Sequence, residues 1–389
     1  MALWQRWQAL RRAIQPLRPL GSALLHNEEE AARQQAAVVA LEMGRTQASA
    51  EVFDRALKRA HRARAAALRT PNDSLLETVT ERLVDRLDDC TAKFPTAVIL
   101  GGAGDYVAER LTYGRRGVER VIHVDSSPEM LRHAQERVAR LKAADPSRRW
   151  PATHYLVGDE EHLPLAPGSV DVVISCLGLH WANDLPGAMA QARIALRPDG
   201  LFLAAMYGGD TLQELRIACA VAQQEREGGV SPFVSPLAQV RDAGNLLTRA
   251  NLALPTVDVD TFAMNYPSPL ELVAHLRRMG ESGALGARRA GPLRRGLAAA
   301  AAAVYQGMFP GEGGEGVAAT YQVMYMTGWS PAKSQPRAAK RGSAQITFEE
   351  FAAQLEQQHA EEGGGGGSAG GGGAGAGGDG LPPPPAAAS

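Results

Sequence analysis

The chain has 389 residues, 45% of them hydrophobic, so it is long enough to bury a sizeable core in one large domain or two small ones. Its formal net charge of −1 gives no overall electrostatic reason to expect nucleic acid or an anionic membrane as a partner. Three widely separated cysteines argue against a disulfide framework and favour a reducing compartment. No apolar run approaches the roughly 18 residues of a membrane-spanning helix.

The first 27 residues contain several arginines and no acid before Glu28. Their apolar residues recur mostly at three- and four-residue steps, which would place them on one face of a helix. An acid-free amphipathic start with arginines is typical of an organellar transit peptide, and a surface helix of the mature protein is the alternative. These residues alone do not distinguish a mitochondrial from a chloroplast destination.

The remainder divides by composition. Residues 28–51 predict a linker or solvated helix, and residues 52–355 predict the folded domain. Residues 356–389, rich in Gly, Pro and Ala, have almost nothing to bury and predict a disordered tail.

Within the folded domain, short apolar runs alternate with helical patterns. The predicted strands are 97–100, 120–124, 153–157, 170–175 and 201–206. Such alternation predicts an α/β fold with a parallel sheet covered on both faces. Two later strand-like segments, 256–266 and 319–329, are expected to add an antiparallel hairpin at one edge, completing a mixed seven-stranded sheet.

Polar and glycine residues follow four of these strands, and ligands bind beyond the carboxyl ends of parallel strands. A glycine-rich turn lets the backbone approach a ligand, and an acid after the second strand can accept both ribose hydroxyls. An acid after the third strand can accept from a purine amine. A turn or a structural acid is the alternative for each feature. The predicted cofactor-binding residues are Gly101, Gly102, Gly104, Asp125, Asp159 and Glu160.

The fourth strand is followed by His180 and Trp181, the first two candidate catalytic residues. The tryptophan can stack on a guanidinium or an adenine, and the histidine can exchange a proton near neutral pH. The alternative is that Trp181 packs inward while His180 bonds to a carbonyl. Asp210, the third candidate, can hold a cationic arginine substrate or cap a helix that begins near it.

His123 and Asp125 match the first part of a two-histidine, one-carboxylate iron site. We interpret this spacing as coincidental because no other histidine has ligand spacing and Asp125 has a use on the ribose. No metal site is predicted.

Six long stretches of the chain carry a family resemblance. They are "FDRALKR" (53–59), "GDEEHLPL" (158–165), "VDVVISCLGLHWANDLPGAM" (170–189), "LRPDGLFLAAMYGGDTLQELR" (196–216), "EREGGVSPFVSPLAQVRDAGNLLTRA" (225–250) and "ATYQVMYMTGW" (319–329). These stretches resemble the class I S-adenosylmethionine-dependent methyltransferases, and more narrowly a family of mitochondrial complex I assembly factors described as protein-arginine hydroxylases.

The resemblance implies a Rossmann-like fold with added C-terminal helices and S-adenosylmethionine as cofactor. It also implies a complex I subunit as protein substrate and no nucleic-acid partner. The implied location is the matrix side of the mitochondrial inner membrane, which allows peripheral association of the protein with that membrane.

Three positions depart from that family's pattern. Ile99 stands where an acid is usual, and Ala103 and Asp105 replace two glycines of the turn. These departures weaken the case for methyl transfer and strengthen the case for a protein without catalytic activity. The resemblance itself, and not any oxidant site in the sequence, favours an arginine hydroxylase with S-adenosylmethionine bound. A true methyltransferase and a non-catalytic assembly chaperone remain the alternatives.

Overall fold

The computed structural model describes residues 51–287 and 294–336, with Gly342, Glu350 and Phe351. The predicted transit peptide, residues 28–50 of the linker and the predicted tail lie outside the described residues. The chain divides into two units after Gln335, and the sheet and its helices belong to the first unit.

A seven-stranded sheet forms the centre of this unit, in the order β3-β2-β1-β4-β5-β7-β6. The first five strands are parallel, and β7 pairs antiparallel with both β5 and β6. The α/β fold and the seven-stranded mixed sheet are thus confirmed. The strands are β1 (Thr96–Leu100), β2 (Arg120–Asp125), β3 (Ala152–Val157), β4 (Val170–Cys176), β5 (Leu196–Tyr207), β6 (Ala253–Tyr266) and β7 (Val317–Trp329).

Helices cover both faces of the sheet, and apolar cores lie on either side of it because β1, β4 and β5 are almost wholly buried. The helices are α1 (Arg55–Leu68), α2 (Ser74–Asp88), α3 (Gly104–Arg110), α4 (Pro128–Ala144), α5 (Leu185–Ala195), α6 (Gln213–Glu227), α7 (Val240–Arg249), α8 (Pro269–Met279) and α9 (Arg295–Met308). Two of these, α8 and α9, separate β6 from β7, so the late antiparallel pair is not a simple hairpin. Within the described residues, no helix is long and apolar enough to cross a membrane.

The position of α1 matters most for the site. Asp54 caps the helix by accepting from the Leu57 N–H at 2.9 Å. The chain before it is fixed by Asn183, whose side chain bonds to both the N–H and the carbonyl of Phe53 at 2.8 and 3.1 Å. The helix then packs against α4 and α8, and its basic face meets the carboxyl ends of the parallel strands.

The helix expected near Asp210 is present, but the predicted cap is wrong, because neither Asp210 nor Thr211 caps it. The helix α6 begins at Gln213, after Leu212 in the left-handed region, and no side chain caps it. The Thr211 hydroxyl donates instead to the Gln322 carbonyl at 2.9 Å, and the Asp210 carboxylate accepts from the Gln322 side chain at 2.8 Å. Both residues are tied to β7, which removes them from the helix.

Candidate functional site

The glycine turn after β1 brings three strands together. Gly101 donates its N–H to the Val124 carbonyl at 2.9 Å, and Ala103 donates to the Cys176 carbonyl at 2.7 Å. Gly102 has φ +59°, and a Cβ there would lie 1.8 Å from the Cys176 carbonyl oxygen. Glycine is therefore required for the turn to seat against the end of β4.

Asp125, at the end of β2, is paired with an arginine of α1. Arg62 contacts both carboxylate oxygens, with an Nε to Oδ1 distance of 3.2 Å, and its Nη2 also donates to the Gly102 carbonyl at 3.1 Å. The Ser127 N–H donates to Oδ1 at 2.8 Å. The carboxylate that was predicted to hold a ribose is thus bonded to this chain's own guanidinium.

A second arginine of α1 binds the acids beyond β3. Arg55 Nη2 lies 2.7 Å from Asp159 Oδ1 and 2.5 Å from Glu160 Oε2. Burial raises the pKa of Glu160 despite the arginine. Burial would also raise the pKa of Asp159, but the Glu161 N–H and Arg55 more than offset this and hold that pKa below its usual value.

These contacts close the edge formed by the carboxyl ends of the parallel strands, which we call the rim. Asp125 is only 2% exposed and Glu160 only 4% exposed, so a solute cannot reach either carboxylate unless α1 moves. The predicted cofactor-binding residues do converge, since Gly101 and Gly102 lie beside Glu160 and Arg62 respectively. The space between them is occupied by arginine side chains of α1.

The departures in the glycine turn also have a structural setting. Ile99 is fully buried in the core, and Ala103 precedes α3 without a capping side chain. Asp105 pairs with Arg69, which follows α1. Burial would raise the pKa of Asp105, but Arg69 outweighs burial and holds it low. Gly104 packs against the His123 ring, where a Cβ would meet Nε2 at 2.3 Å.

His180 and Trp181 meet around one buried carboxylate. They lie in a short 3-10 turn after β4, and both donate to Glu281 Oε2, from His180 Nε2 at 2.9 Å and Trp181 Nε1 at 2.7 Å. The ammonium group of Lys58 stands 3.6 Å from the centre of the Trp181 ring and 3.4 Å from Glu281 Oε1. Trp181 packs inward, as the alternative interpretation expected, whereas the partner of His180 is a carboxylate rather than a carbonyl.

Local backbone geometry explains the position of Glu281. Helix α8 ends at Gly280, whose φ of +83° lets its N–H bond the Arg277 carbonyl at 3.2 Å while the Glu281 N–H bonds the Leu276 carbonyl at 2.7 Å. This Schellman motif reverses the chain. The side chain of Glu281 is thereby carried into the cluster next to the turn at His180.

The charges of this cluster depend on burial. Burial lowers the pKa of Lys58 to about 7, against the opposing effect of Glu281. Burial likewise lowers the pKa of His180, so the imidazole is neutral near pH 7. Burial would raise the pKa of Glu281, but Lys58 and His180 override it and hold the acid ionised well below its usual range.

A cavity of about 290 Å³ adjoins this cluster. Its lining is mostly apolar and comes from the 3-10 turn, from β5, β7, α6, α8 and α9, and from the loops around 211–212, 233–237 and 281–283. His180, Trp181, Tyr207 and Glu281 form its polar and aromatic wall. Such a pocket, apolar with a few converging polar groups, is the usual form of a small-ligand site.

Asp210 lies outside this arrangement. It is exposed, is bonded to Gln322 and does not line the cavity. His123 is buried under the glycine turn, and no group of three or more His, Cys, Asp or Glu residues suited to a metal ion occurs in the described part of the chain.

Sequence reasoning missed the basic residues of α1 and the acid after α8. Arg55, Lys58 and Arg62 are spaced by three and four residues, the signature of one helical face. That spacing was visible in "RALKRAHR". Their acidic partners lie between 63 and 223 positions away, so the pairing itself leaves no local signal.

The order and directions of the seven strands define a protein of the class I methyltransferase fold. A family model for the methyltransferase domain matches residues 100–204. The chain is also 34% identical over 268 residues to a malonyl-(acyl-carrier protein) O-methyltransferase of Xylella fastidiosa (strain M23), covering 69% of this chain and 85% of that protein.

Closer relatives define the family. The chain is 42% identical over 299 residues to "Arginine-hydroxylase NDUFAF5, mitochondrial" of Danio rerio, covering 76% of this chain and 88% of that protein. It is also 42% identical over 301 residues to the Homo sapiens protein of the same name, covering 77% of this chain and 83% of that protein. The chain therefore belongs to the NDUFAF5 family of mitochondrial arginine hydroxylases.

Proposed function

We propose that this protein hydroxylates an arginine side chain of a complex I subunit, on the matrix side of the mitochondrial inner membrane, with S-adenosylmethionine bound at the rim. The observation that carries the proposal is the 42% identity to arginine hydroxylases over 88% of the length of one of them. Hydroxylation inserts one oxygen atom and is a two-electron oxidation, which dioxygen and a two-electron reductant balance with release of water.

The residue types at the rim fit an adenosyl cofactor. Asp125 offers two carboxylate oxygens at the end of β2, where nucleotide-binding folds of this kind hold a ribose. Asp159 follows β3 and would face the base. Bound S-adenosylmethionine would supply a sulfonium centre and a transferable methyl group. The space between these acids can hold the cofactor only after Arg62 and Arg55 release their carboxylates.

The cofactor can displace the arginines of α1 because its own hydrogen bonds to the carboxylates would replace those of the arginines. A buried carboxylate left without a partner costs several kcal/mol. Ribose hydroxyls donate two hydrogen bonds to such a carboxylate, and the arginines regain water as they leave. We therefore propose that cofactor and α1 compete for Asp125 and Asp159.

The second candidate function is methyl transfer. It is supported by the methyltransferase-domain match and by the 34% identity to a methyltransferase. An enzyme that transfers a methyl group needs mainly proximity and an acceptor aligned with the sulfonium, so a dedicated base is not required.

Peptide mass spectrometry of complex I subunits separates these functions. Cells lacking the protein are compared with the same cells re-expressing the wild-type chain or Asp125→Ala. The proposal expects an arginine peptide that lacks one oxygen in the null cells and regains it with the wild type. A missing methyl group would support methyl transfer, and unchanged peptides alongside lost complex I would leave a chaperone role.

A further inference from the structure

The carboxylate of Glu281, at the wall of the cavity, is already paired with a basic group of the protein itself, Lys58. With a pKa of about 7, Lys58 carries a positive charge in part of the molecules at neutral pH and in nearly all of them in mild acid. Lys58 is 4% exposed, and its ammonium donates to the Gly280 carbonyl at 2.7 Å while lying over the Trp181 ring. An aromatic face together with a buried carboxylate is a recognised setting for a positively charged group. Glu281 is the one acid among the described residues that line the cavity.

Two buried polar atoms at the cavity wall are available to bond a ligand or a water molecule. His180 Nδ1 and Ser235 Oγ are buried and have no hydrogen-bond partner among the described residues. Both residues line the cavity, and they are only 6% and 7% exposed. Buried polar atoms of this kind are rare without a water or a ligand. With Nε2 donating to Glu281, Nδ1 of neutral His180 is an acceptor, suited to an N–H donor.

The carboxylate itself has room for a further donor. Glu281 Oε2 already accepts from His180 and Trp181, whereas Oε1 has only the 3.4 Å contact with Lys58 in the described structure. A guanidinium offers five N–H donors in a planar fork, more than the three of an ammonium group. Arg277, the other charged lining residue, is exposed, so solvent screens its charge.

We propose that Glu281, with the Trp181 face and the His180 Nδ1 acceptor, binds the guanidinium of the substrate arginine, which replaces Lys58 as the partner of Glu281. This inference rests on the proposed arginine substrate and identifies the site that recognises it. Lys58 holds the carboxylate ionised and ordered until the substrate arrives.

The test measures the binding of N-acetyl-arginine methylamide to the full-length chain by saturation-transfer NMR. The corresponding citrulline compound, which has nearly the same shape but no charge, is the control probe. We expect the arginine probe to bind the wild type at least about tenfold more tightly than the citrulline probe. Lys58→Met, which removes the competing ammonium, is expected to tighten arginine binding several-fold.

The decisive pair is Lys58→Met against Lys58→Met/Glu281→Gln, because neither leaves a buried lysine without its counter-ion. The double variant should lose at least about tenfold in arginine affinity at unchanged circular dichroism. Equal affinity of the two variants, equal binding of both probes, or no binding to the wild type and to Lys58→Met would overturn the proposal.

This outcome is independent of the proposed reaction. If the arginine probe binds through Glu281 and complex I peptides show no missing oxygen in null cells, the cation site stands and the hydroxylation proposal fails. If hydroxylation is found and the Lys58→Met/Glu281→Gln variant binds arginine as Lys58→Met does, the reaction stands and this assignment of Glu281 fails.

Discussion

Arg62 of α1 and Asp125 at the end of β2 form a buried ion pair across the carboxyl edge of the sheet, 4% and 2% exposed. Asp125 stands where nucleotide-binding α/β folds hold a ribose. The pair therefore ties the proposed cofactor site to the movement of a helix.

Cofactor binding should loosen α1. Since Arg55 and Arg62 connect the helix to Asp159 and Asp125, replacement of these contacts by a ligand removes much of what holds α1 in place. We expect S-adenosylmethionine to increase amide hydrogen exchange several-fold in α1 (Arg55–Leu68) but not in α2 (Ser74–Asp88), as measured by mass spectrometry. Asp125→Ala is the control and should show no ligand effect. Slower exchange of α1 on ligand addition would contradict the competition.

The glycine turn should tolerate no side chain at Gly102. A methyl group there would overlap the Cys176 carbonyl, and the fully packed β4 cannot move away. Gly102→Ala is expected to lower the free energy of unfolding by at least about 3 kcal/mol, measured by urea denaturation.

Gly114→Ala is the matched control for that substitution. Gly114 also has a positive φ, +83°, but no atom lies within 4 Å of an added Cβ. It should cost only about 1–2 kcal/mol, the strain of the left-handed region itself. Equal losses for the two variants would show that contact with Cys176 does not explain the glycine.

Protonation of His123 should weaken folding in mild acid. Burial lowers its pKa to about 4 from an ordinary value of 6.5, against the opposing effects of Asp125 and Asp105. Between these two pH values the unfolded chain binds a proton that the folded chain does not. The free energy of unfolding should therefore fall as pH drops from 6.5 to 4, by about 3 kcal/mol in total from this residue.

His123→Asn should remove that part of the pH dependence, whatever it does to stability at neutral pH. His154→Asn, which changes an exposed histidine of the neighbouring strand β3, is the control and should keep the wild-type slope. Urea denaturation at a series of pH values measures both. An unaltered slope in His123→Asn would mean that the imidazole is protonated equally in the folded and unfolded chains.

The strands could be read from the sequence because each is a short apolar run bounded by turn residues. All seven lie within a few residues of their predicted positions, and Pro128 begins α4 as its fixed φ favours. The convergence of Asp125 with Asp159 followed from the topology of parallel strands, whose carboxyl ends share one edge.

The sequence did not predict that arginine side chains of α1 occupy this edge of the sheet. The basic face of α1 is a local pattern, but a basic helical face is usually solvated, and only tertiary packing places it over buried acids. Glu281 gave still less signal, as a single acid after a helix whose role depends on the left-handed Gly280. Asp210 does not cap the helix as expected, because its carboxylate accepts a hydrogen bond from the side chain of Gln322 in β7 instead.

Calorimetric titration with S-adenosylmethionine tests the central claim most directly. If Arg62 and the cofactor compete for Asp125, Arg62→Met should bind about tenfold more tightly than the wild type. Arg64→Met, at an exposed position of the same helix, should match the wild type, and Asp125→Ala should lose binding. Unchanged or weaker affinity in folded Arg62→Met, or full affinity in Asp125→Ala, would show that the cofactor does not take the place of the arginine.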